Sequence, residues 1–218
     1  MIRYILFDFD GTLYDTVEGI TKSAQYALSK IGISAELDEL RCFAGPPLTD
    51  KFMEVFGFDR ATADRATLLF RERYRPIGIF ESGPFPGMAE FLARLNERGF
   101  MLAVATSKPQ DMAELLLSRA GILDAFRVIC GSGHDGNNNT KEEIVRRTVS
   151  QLGAGKDECV LIGDTKYDVL GAHAAGVKCI CVRYGYAAPG ELEEAGADAI
   201  AEDLDELEKL LTCGEFLL

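Results

Sequence analysis

The chain has 218 residues, 47% of them hydrophobic and 27% charged, the balance of an ordinary globular protein long enough for one large domain or a domain carrying a smaller one. Against 23 Lys and Arg stand 35 Asp and Glu, a net charge of −12, and a surface of that sign repels nucleic acid and anionic membrane over long range. Neither is expected as a partner.

The N-terminus carries one Arg, a short apolar run and then two acids, the pattern of neither a signal peptide nor an anchor. No later segment approaches the roughly eighteen continuous apolar residues of a membrane span, so a cytoplasmic location is expected. The cysteines (Cys42, Cys130, Cys159, Cys179, Cys181, Cys213) form no C-x-x-C pair and sit mostly in apolar, strand-like runs such as KCICV. Buried free thiols are expected, in preference to disulfides or a zinc site. His134 and His173 stand apart from them.

In chain order, the first strand is expected at Tyr4–Phe9, inside the stretch YILFDFDGTLYDT. From Thr16 to Ser82 the patterns are helical, at Val17–Lys30, Glu36–Phe43, Thr49–Phe56 and Ala61–Tyr74, with no strand among them. The Gly and Pro residues of SGPFPG, Ser82–Gly87, then punctuate the chain. Beyond them, helices at Met88–Arg98, Gln110–Ala120, Thr140–Leu152, Val169–Ala175 and Leu204–Leu211 alternate with strands at Met101–Thr106, Val128–Cys130, Cys159–Gly163 and Cys179–Val182, and with a weaker strand near Ala199. GNNN at Gly136–Asn139 reads as a loop. Strands apolar on both faces, alternating with helices, imply an α/β fold: a doubly wound, Rossmann-like parallel sheet covered on both sides. Residues 1–15 and 83–218 form this core, and residues 16–82 an inserted all-helical domain.

In such a sheet, ligands bind beyond the carboxyl ends of the strands. After the first strand come Asp8, Asp10, Gly11 and Thr12; after the second, Thr106, Ser107 and Lys108; after the third, at the next helix, Lys141; after the fourth, Gly163, Asp164 and Asp168. Asp8 and Asp10 are two apart in an extended segment, so their carboxylates converge while Phe7 and Phe9 turn away. Adjacent carboxylates raise one another's pKa unless a cation or proton intervenes. With Asp164 as a third acid, the hard, oxygen-seeking Mg²⁺ is the natural occupant, and Asp10 is then able to carry the proton that a leaving group needs. Thr140-x-x-Glu143 is a capping-box pattern that puts Lys141 in the first turn of a helix. A cation gains nothing there from the helix dipole, and its placement makes sense beside an anion held also by Thr106 and backbone N–H groups.

DFDGT at Asp8–Thr12, TSKP at Thr106–Pro109, Lys141, and GDTKYD at Gly163–Asp168 resemble, in order and spacing, the four motifs of the haloacid dehalogenase superfamily. The helical insert is similar to that superfamily's small cap. AGPPL at Ala44–Leu48, PFPGM, and RYGY at Arg183–Tyr186 resemble its phosphoglycolate phosphatase branch, so the resemblance covers essentially the whole chain. It implies a phosphatase of small phosphorylated molecules in which Asp8 is the nucleophile and forms an aspartyl-phosphate, while Asp10 protonates the leaving group and then activates water. Asp8, the main-chain carbonyl of Asp10, and Asp164 would hold Mg²⁺, with Asp168 orienting the waters on it. Thr106, Ser107, Lys141 and Gly11 would bind the phosphoryl oxygens, and Arg41 and Lys51 are candidates for substrate contacts from the cap.

Taken singly, each motif has a structural reading as a turn, a strand end, a solvated lysine or helix N-terminal acids; their coincidence in order favours the chemical one. A phospho-receiver domain also gathers acids, a Thr and a Lys on a doubly wound sheet, but it phosphorylates an Asp after its third strand and has no place for the insert. The dehalogenase branch lacks the second acid that Asp10 supplies. A phosphomutase of the same superfamily remains an alternative, since it differs mainly in holding a second phosphate and excluding water. A phosphonatase needs a reactive cap lysine, and none of Lys22, Lys30 and Lys51 is marked by its setting. The physiological substrate and the oligomeric state are not encoded in these motifs.

Overall fold

The structure, a computed structural model, describes residues 1–45, 47–133 and 140–213. The loop expected at Gly136–Asn139, together with His134, lies outside the described residues, as does Pro46 of the AGPPL stretch. In chain order the elements are β1 (Tyr4–Phe7), β2 (Tyr14–Asp15), α1 (Val17–Ile31), α2 (Leu48–Phe56), α3 (Arg60–Tyr74), β3 (Gly83–Pro84), α4 (Met88–Glu97), β4 (Met101–Pro109), α5 (Gln110–Arg119), β5 (Phe126–Ser132), α6 (Lys141–Leu152), β6 (Cys159–Gly163), α7 (Lys166–Ala175), β7 (Lys178–Val182), α8 (Glu191–Ala195), β8 (Ala199–Ala201) and α9 (Leu204–Thr212). Two compact units result, one of residues 1–14 with 84–218 and the other of residues 15–83.

The larger unit is built on a six-stranded sheet in the order β5-β4-β1-β6-β7-β8, with every pairing parallel. The chain runs outward from β1 through β4 to β5, then returns to the other side of β1 for β6, β7 and β8. A switch of direction beside β1 opens a crevice at its carboxyl end. Both faces of β1 are buried, as its unbroken apolar run predicts. Tyr4 and Leu6 join Ile144, Val145, Val169 and Ala172 of α6 and α7 in one core layer. On the other face, Phe7 meets Phe91 of α4 and Phe126 edge-on, with ring centroids 6.4 and 6.3 Å apart, a geometry aromatic quadrupoles favour. Glu208 of α9 binds both Arg94 (2.8 Å) and Arg98 (3.1 Å) at the end of α4.

The strand expected at Tyr4–Phe9 stops at Phe7, because Phe9 begins a tight loop: its carbonyl accepts from the N–H groups of Thr12, Leu13 and Tyr14. β4 runs on to Pro109, past its expected end at Thr106, through a register shift against β5 between Ala105 and Pro109. Helix α8 has no counterpart among the expected elements. Cys130, Cys159, Cys179 and Cys181 are buried free thiols and Cys42 and Cys213 exposed ones. Among the described residues, no helix is long and apolar enough to cross a membrane.

Among the described residues between its two ends, the regular elements of the smaller unit are all helices. The segment expected as a helix at Glu36–Phe43 is a 3-10 helix at Leu37–Phe43. Gly19 and Gly78 let α1 and the chain after α3 approach so closely that a Cβ on Gly19 would fall 1.9 Å from the Gly78 carbonyl oxygen. Arg73 holds Glu81 with two hydrogen bonds, and Lys22 binds the same carboxylate at 3.2 Å.

Candidate active site

Asp8, Asp10, Thr106, Lys108, Lys141, Asp164 and Asp168 all belong to the larger unit and lie at the carboxyl edge of the sheet, where Lys141 pairs with Asp8 and Asp168 and Lys108 with Asp10. The Lys141 ammonium lies 2.7 Å from Asp8 Oδ1 and 2.7 Å from Asp168 Oδ1. The Lys108 ammonium lies 2.9 Å from Asp10 Oδ1. One ligand atom from each of Asp8, Asp164 and Asp168 lies within 4.8 Å of the others.

Local folding explains each placement. Asp8 still donates its N–H to the Ile162 carbonyl (2.8 Å), so the β1 ladder delivers it to the edge before the loop begins. Lys141 opens α6 behind a complete capping box, in which Thr140 accepts from the Glu143 N–H and Glu143 accepts from the Thr140 N–H. Gly171 makes room for it, since a Cβ there would lie 2.6 Å from Lys141 Cβ. Asp168, one turn into α7, accepts through Oδ2 from the N–H groups of Asp164 and Thr165 and from the Thr165 hydroxyl.

Asp164 is fully buried and accepts from neutral donors, the Thr12 hydroxyl at 3.0 Å and the Tyr186 N–H at 2.8 Å. Burial, followed by the charges of Asp168 and Asp8, raises its pKa well above the usual carboxylate value. Burial likewise raises Asp8 to about 6; the Lys141 charge opposes this, and those of Asp168 and Asp10 add to it. Burial alone would lower Lys141, but the carboxylates of Asp168 and Asp8 outweigh it and hold the lysine protonated.

Asp8 Oδ1 is a buried oxygen that receives no aligned hydrogen bond, although Lys141 stands at ion-pair distance. Four carboxyl groups stand against two ammonium groups in this largely buried site. A divalent, oxygen-seeking cation fits that donor set. Asp8, Asp164 and Asp168 each bring an oxygen close enough to share it; the Asp168 oxygens face Lys141 and the α7 N-terminus, whereas Asp164 accepts only from neutral donors.

Thr106 is buried, and its hydroxyl oxygen accepts from the Lys108 N–H at 3.2 Å, which leaves the hydroxyl proton to be donated elsewhere. The Ser107 side chain is exposed, and its carbonyl accepts from the Ser132 hydroxyl (2.8 Å). Gly11 has φ +82°, and a Cβ there would fall 2.1 Å from Asp164 Oδ2. Within the helical unit, Arg41 is exposed and Lys51 is paired with Glu54 at 3.0 Å.

Three groups carry more than the sequence assigned them. Lys108 follows Thr106 in TSKP, and its burial was the missing clue. Thr12 holds Asp164 from the loop after β1. The RYGY segment supplies the Tyr186 N–H to Asp164 and places the Tyr184 hydroxyl on the Thr12 carbonyl at 3.0 Å, while Gly185 has no room for a side chain, a Cβ falling 2.2 Å from Asp164 Cβ. Tyr14 stacks on Phe9 with centroids 4.6 Å apart and donates to the Leu116 carbonyl.

Comparison with known proteins matches residues 5–182 to the family described as haloacid dehalogenase-like hydrolase. A protein named 5'-nucleotidase from Pseudomonas aeruginosa is 42% identical over 96% of each chain. The tyrosine-protein kinase PtkA of Mycobacterium tuberculosis is 32% identical over 96% of this chain and 72% of its own length. The crystal structure of a predicted phosphatase from Clostridium acetobutylicum superposes with a TM-score of 0.92 at 40% identity, covering 97% of this chain and 98% of that one. With a family match of that span, and with DFDGT, TSKP, Lys141 and GDTKYD gathered at one sheet edge, the chain is an enzyme of the haloacid dehalogenase-like hydrolase family.

Proposed function

We propose that this hydrolase is a Mg²⁺-dependent phosphatase of small phosphorylated metabolites working through an aspartyl-phosphate on Asp8. The observation that carries the reading is the pair of carboxylates two residues apart, each held by its own buried lysine: Asp8 by Lys141 and Asp10 by Lys108. Two like groups in unlike settings suit two roles, attack on phosphorus and proton transfer to and from oxygen.

Asp8 and Asp164, with the main-chain carbonyl of Asp10, would hold Mg²⁺, which supplies charge neutralisation for the phosphoryl oxygens when bound. Lys141 and the Thr106 hydroxyl bind those oxygens. Asp168 positions Lys141 and the Asp164 segment. The helical unit acts as a cap that closes and expels water, with hinges at the linkers near Asp15 and Gly83, and Arg41 and Lys51 read the leaving group from it. The high similarity to a 5'-nucleotidase supports a small phosphate monoester as substrate.

Asp8→Asn tests the reading directly, because an amide of equal size cannot attack phosphorus. Turnover should fall by several orders of magnitude, on the order of 5 kcal/mol or more of transition-state stabilisation, with circular dichroism unchanged. A folded variant keeping a tenth of the parent kcat would refute the nucleophile assignment. EDTA should abolish activity and Mg²⁺ restore it; a phosphomutase would instead return an isomerised phosphate ester without releasing inorganic phosphate.

A further inference from the structure

Burying an ammonium group is unfavourable unless it meets a fixed partner, yet the Lys108 side chain is only 3% exposed. Its backbone is pinned on both sides. The Lys108 N–H donates to the Thr106 hydroxyl oxygen at 3.2 Å, and its carbonyl abuts Gly131 so closely that a Cβ there would fall 2.7 Å away. The register shift of β4 between Ala105 and Pro109 leaves Ser107 exposed and Thr106 and Lys108 buried, the re-aiming of side chains that irregular strand ends provide. From that base, the ammonium sits 5.2 Å from the centroid of the Phe9 ring and 2.9 Å from Asp10 Oδ1. Phe9 is itself stacked on Tyr14, so the lysine has an aromatic wall on one side and the carboxylate within bonding distance.

We propose that Lys108 is a positioning residue for Asp10: it fixes the carboxyl plane through Oδ1 and leaves Oδ2 to carry the proton at the leaving oxygen. The inference rests on the phosphatase reading above. As an Asp8 oxygen bonds to phosphorus and the bond from phosphorus to the ester oxygen breaks, the proton on Asp10 passes to that oxygen and the alcohol departs. In the second half, a water oxygen bonds to phosphorus and gives its proton to the ionised Asp10, while the bond to Asp8 breaks and inorganic phosphate leaves.

The test compares an alkyl phosphate, whose alkoxide cannot leave without a proton, with p-nitrophenyl phosphate, whose phenolate can. For the alkyl ester, Lys108→Met should lower kcat/KM roughly ten- to a hundredfold, chiefly through kcat. The aryl ester should lose less than about threefold, since its leaving group asks little of an acid. Asp10→Asn should show the same selectivity, and the double variant should fall no further than the worse single one, because the two residues act as a unit. Equal losses for both esters, or none, would overturn the positioning role. Asp8→Asn, run alongside, separates the two ideas: turnover surviving in that variant refutes the phosphatase reading itself. Should Lys108→Met fail to fold, the Lys108 ammonium signal of ¹⁵N-lysine-labelled protein, assigned with Lys108→Arg, decides the matter. It should shift in Asp10→Asn, and a signal that stays in place overturns the proposal.

Discussion

At Gly11 two constraints coincide, a backbone at φ +82° and a space that a single methyl group would fill by striking Asp164 Oδ2 and the Tyr186 ring. Gly11→Ala should therefore displace the Asp164 carboxylate, proposed above to hold the metal, as well as strain the loop, with a stability loss on the order of 1–3 kcal/mol. A lower Tm together with a higher Mg²⁺ requirement is the expected outcome, and an unchanged Mg²⁺ titration would show that Asp164 had not moved. Asp8 offers a second test at this scale. Burial holds its folded pKa at about 6, above the ordinary carboxylate value, so the folded protein binds the proton more tightly than the unfolded one. Asp8 therefore favours folding fully below about pH 4, and that contribution is lost as the pH rises through 6. In metal-free protein at pH 7.5, Asp8→Asn should be the more stable form by on the order of 1–3 kcal/mol, with the difference vanishing near pH 4. Chemical denaturation in EDTA across that range measures it, and a pH-independent difference would contradict the burial argument.

Helix α6 shows how an element serves a site through its ends. Its capping box orders the first turn, and the first turn carries Lys141. Thr140→Ala should remove about 1 kcal/mol of stability and lower kcat by more than that loss in folded fraction explains; urea denaturation and single-substrate kinetics on the same preparation read both, and an unchanged kcat would mean that Lys141 is held by its carboxylates alone. The capping box was legible in the sequence because its partners are three residues apart, and the alternation of β1, β4, β6 and β7 with their helices was legible because buried parallel strands are apolar throughout. So was the convergence of Asp8, Asp10, Thr106, Lys141, Asp164 and Asp168, which follows once those strands are parallel and share an edge. Other features were hidden for physical reasons. The extension of β4 to Pro109 depends on a cross-strand register that no local pattern reports. Five-residue α8 is too short to show a helical period, and a 3-10 helix over Leu37–Phe43 presents nearly the same apolar spacing as an α-helix. The pairing of Lys108 with Asp10 spans most of β1 to β4 and has no local signature, while the Tyr186 N–H is a backbone group and leaves none at all.

The whole molecule divides its labour between a sheet unit that carries every charged group of the ion pairs at the sheet edge and a helical unit inserted after β1. The insert enters at β2 and leaves at β3, which pair as a two-stranded ribbon, so its two ends lie roughly 5 Å apart and a short glycine-rich loop can replace everything between Asp15 and Gly83. If the sheet unit holds the complete phosphoryl-transfer machinery, this excised protein should fold with its own cooperative transition and retain Mg²⁺-dependent turnover of p-nitrophenyl phosphate. It should lose what a closing cap supplies, namely exclusion of water and contact with the leaving group. The intact protein is then expected to favour small esters and to leave phosphotyrosine peptides untouched, while the excised protein accepts both at low and similar kcat/KM. Arg41→Ala and Lys51→Ala in the intact chain should change kcat/KM unequally among phosphoglycolate, pyrophosphate, a nucleoside monophosphate and p-nitrophenyl phosphate, by roughly ten- to a hundredfold where a charged leaving group is contacted. A panel of these substrates against the parent, the two variants and the excised protein resolves the question. Uniform scaling across the panel would remove both basic residues from leaving-group recognition, and a phosphopeptide turned over best by the intact protein would refute the closing cap.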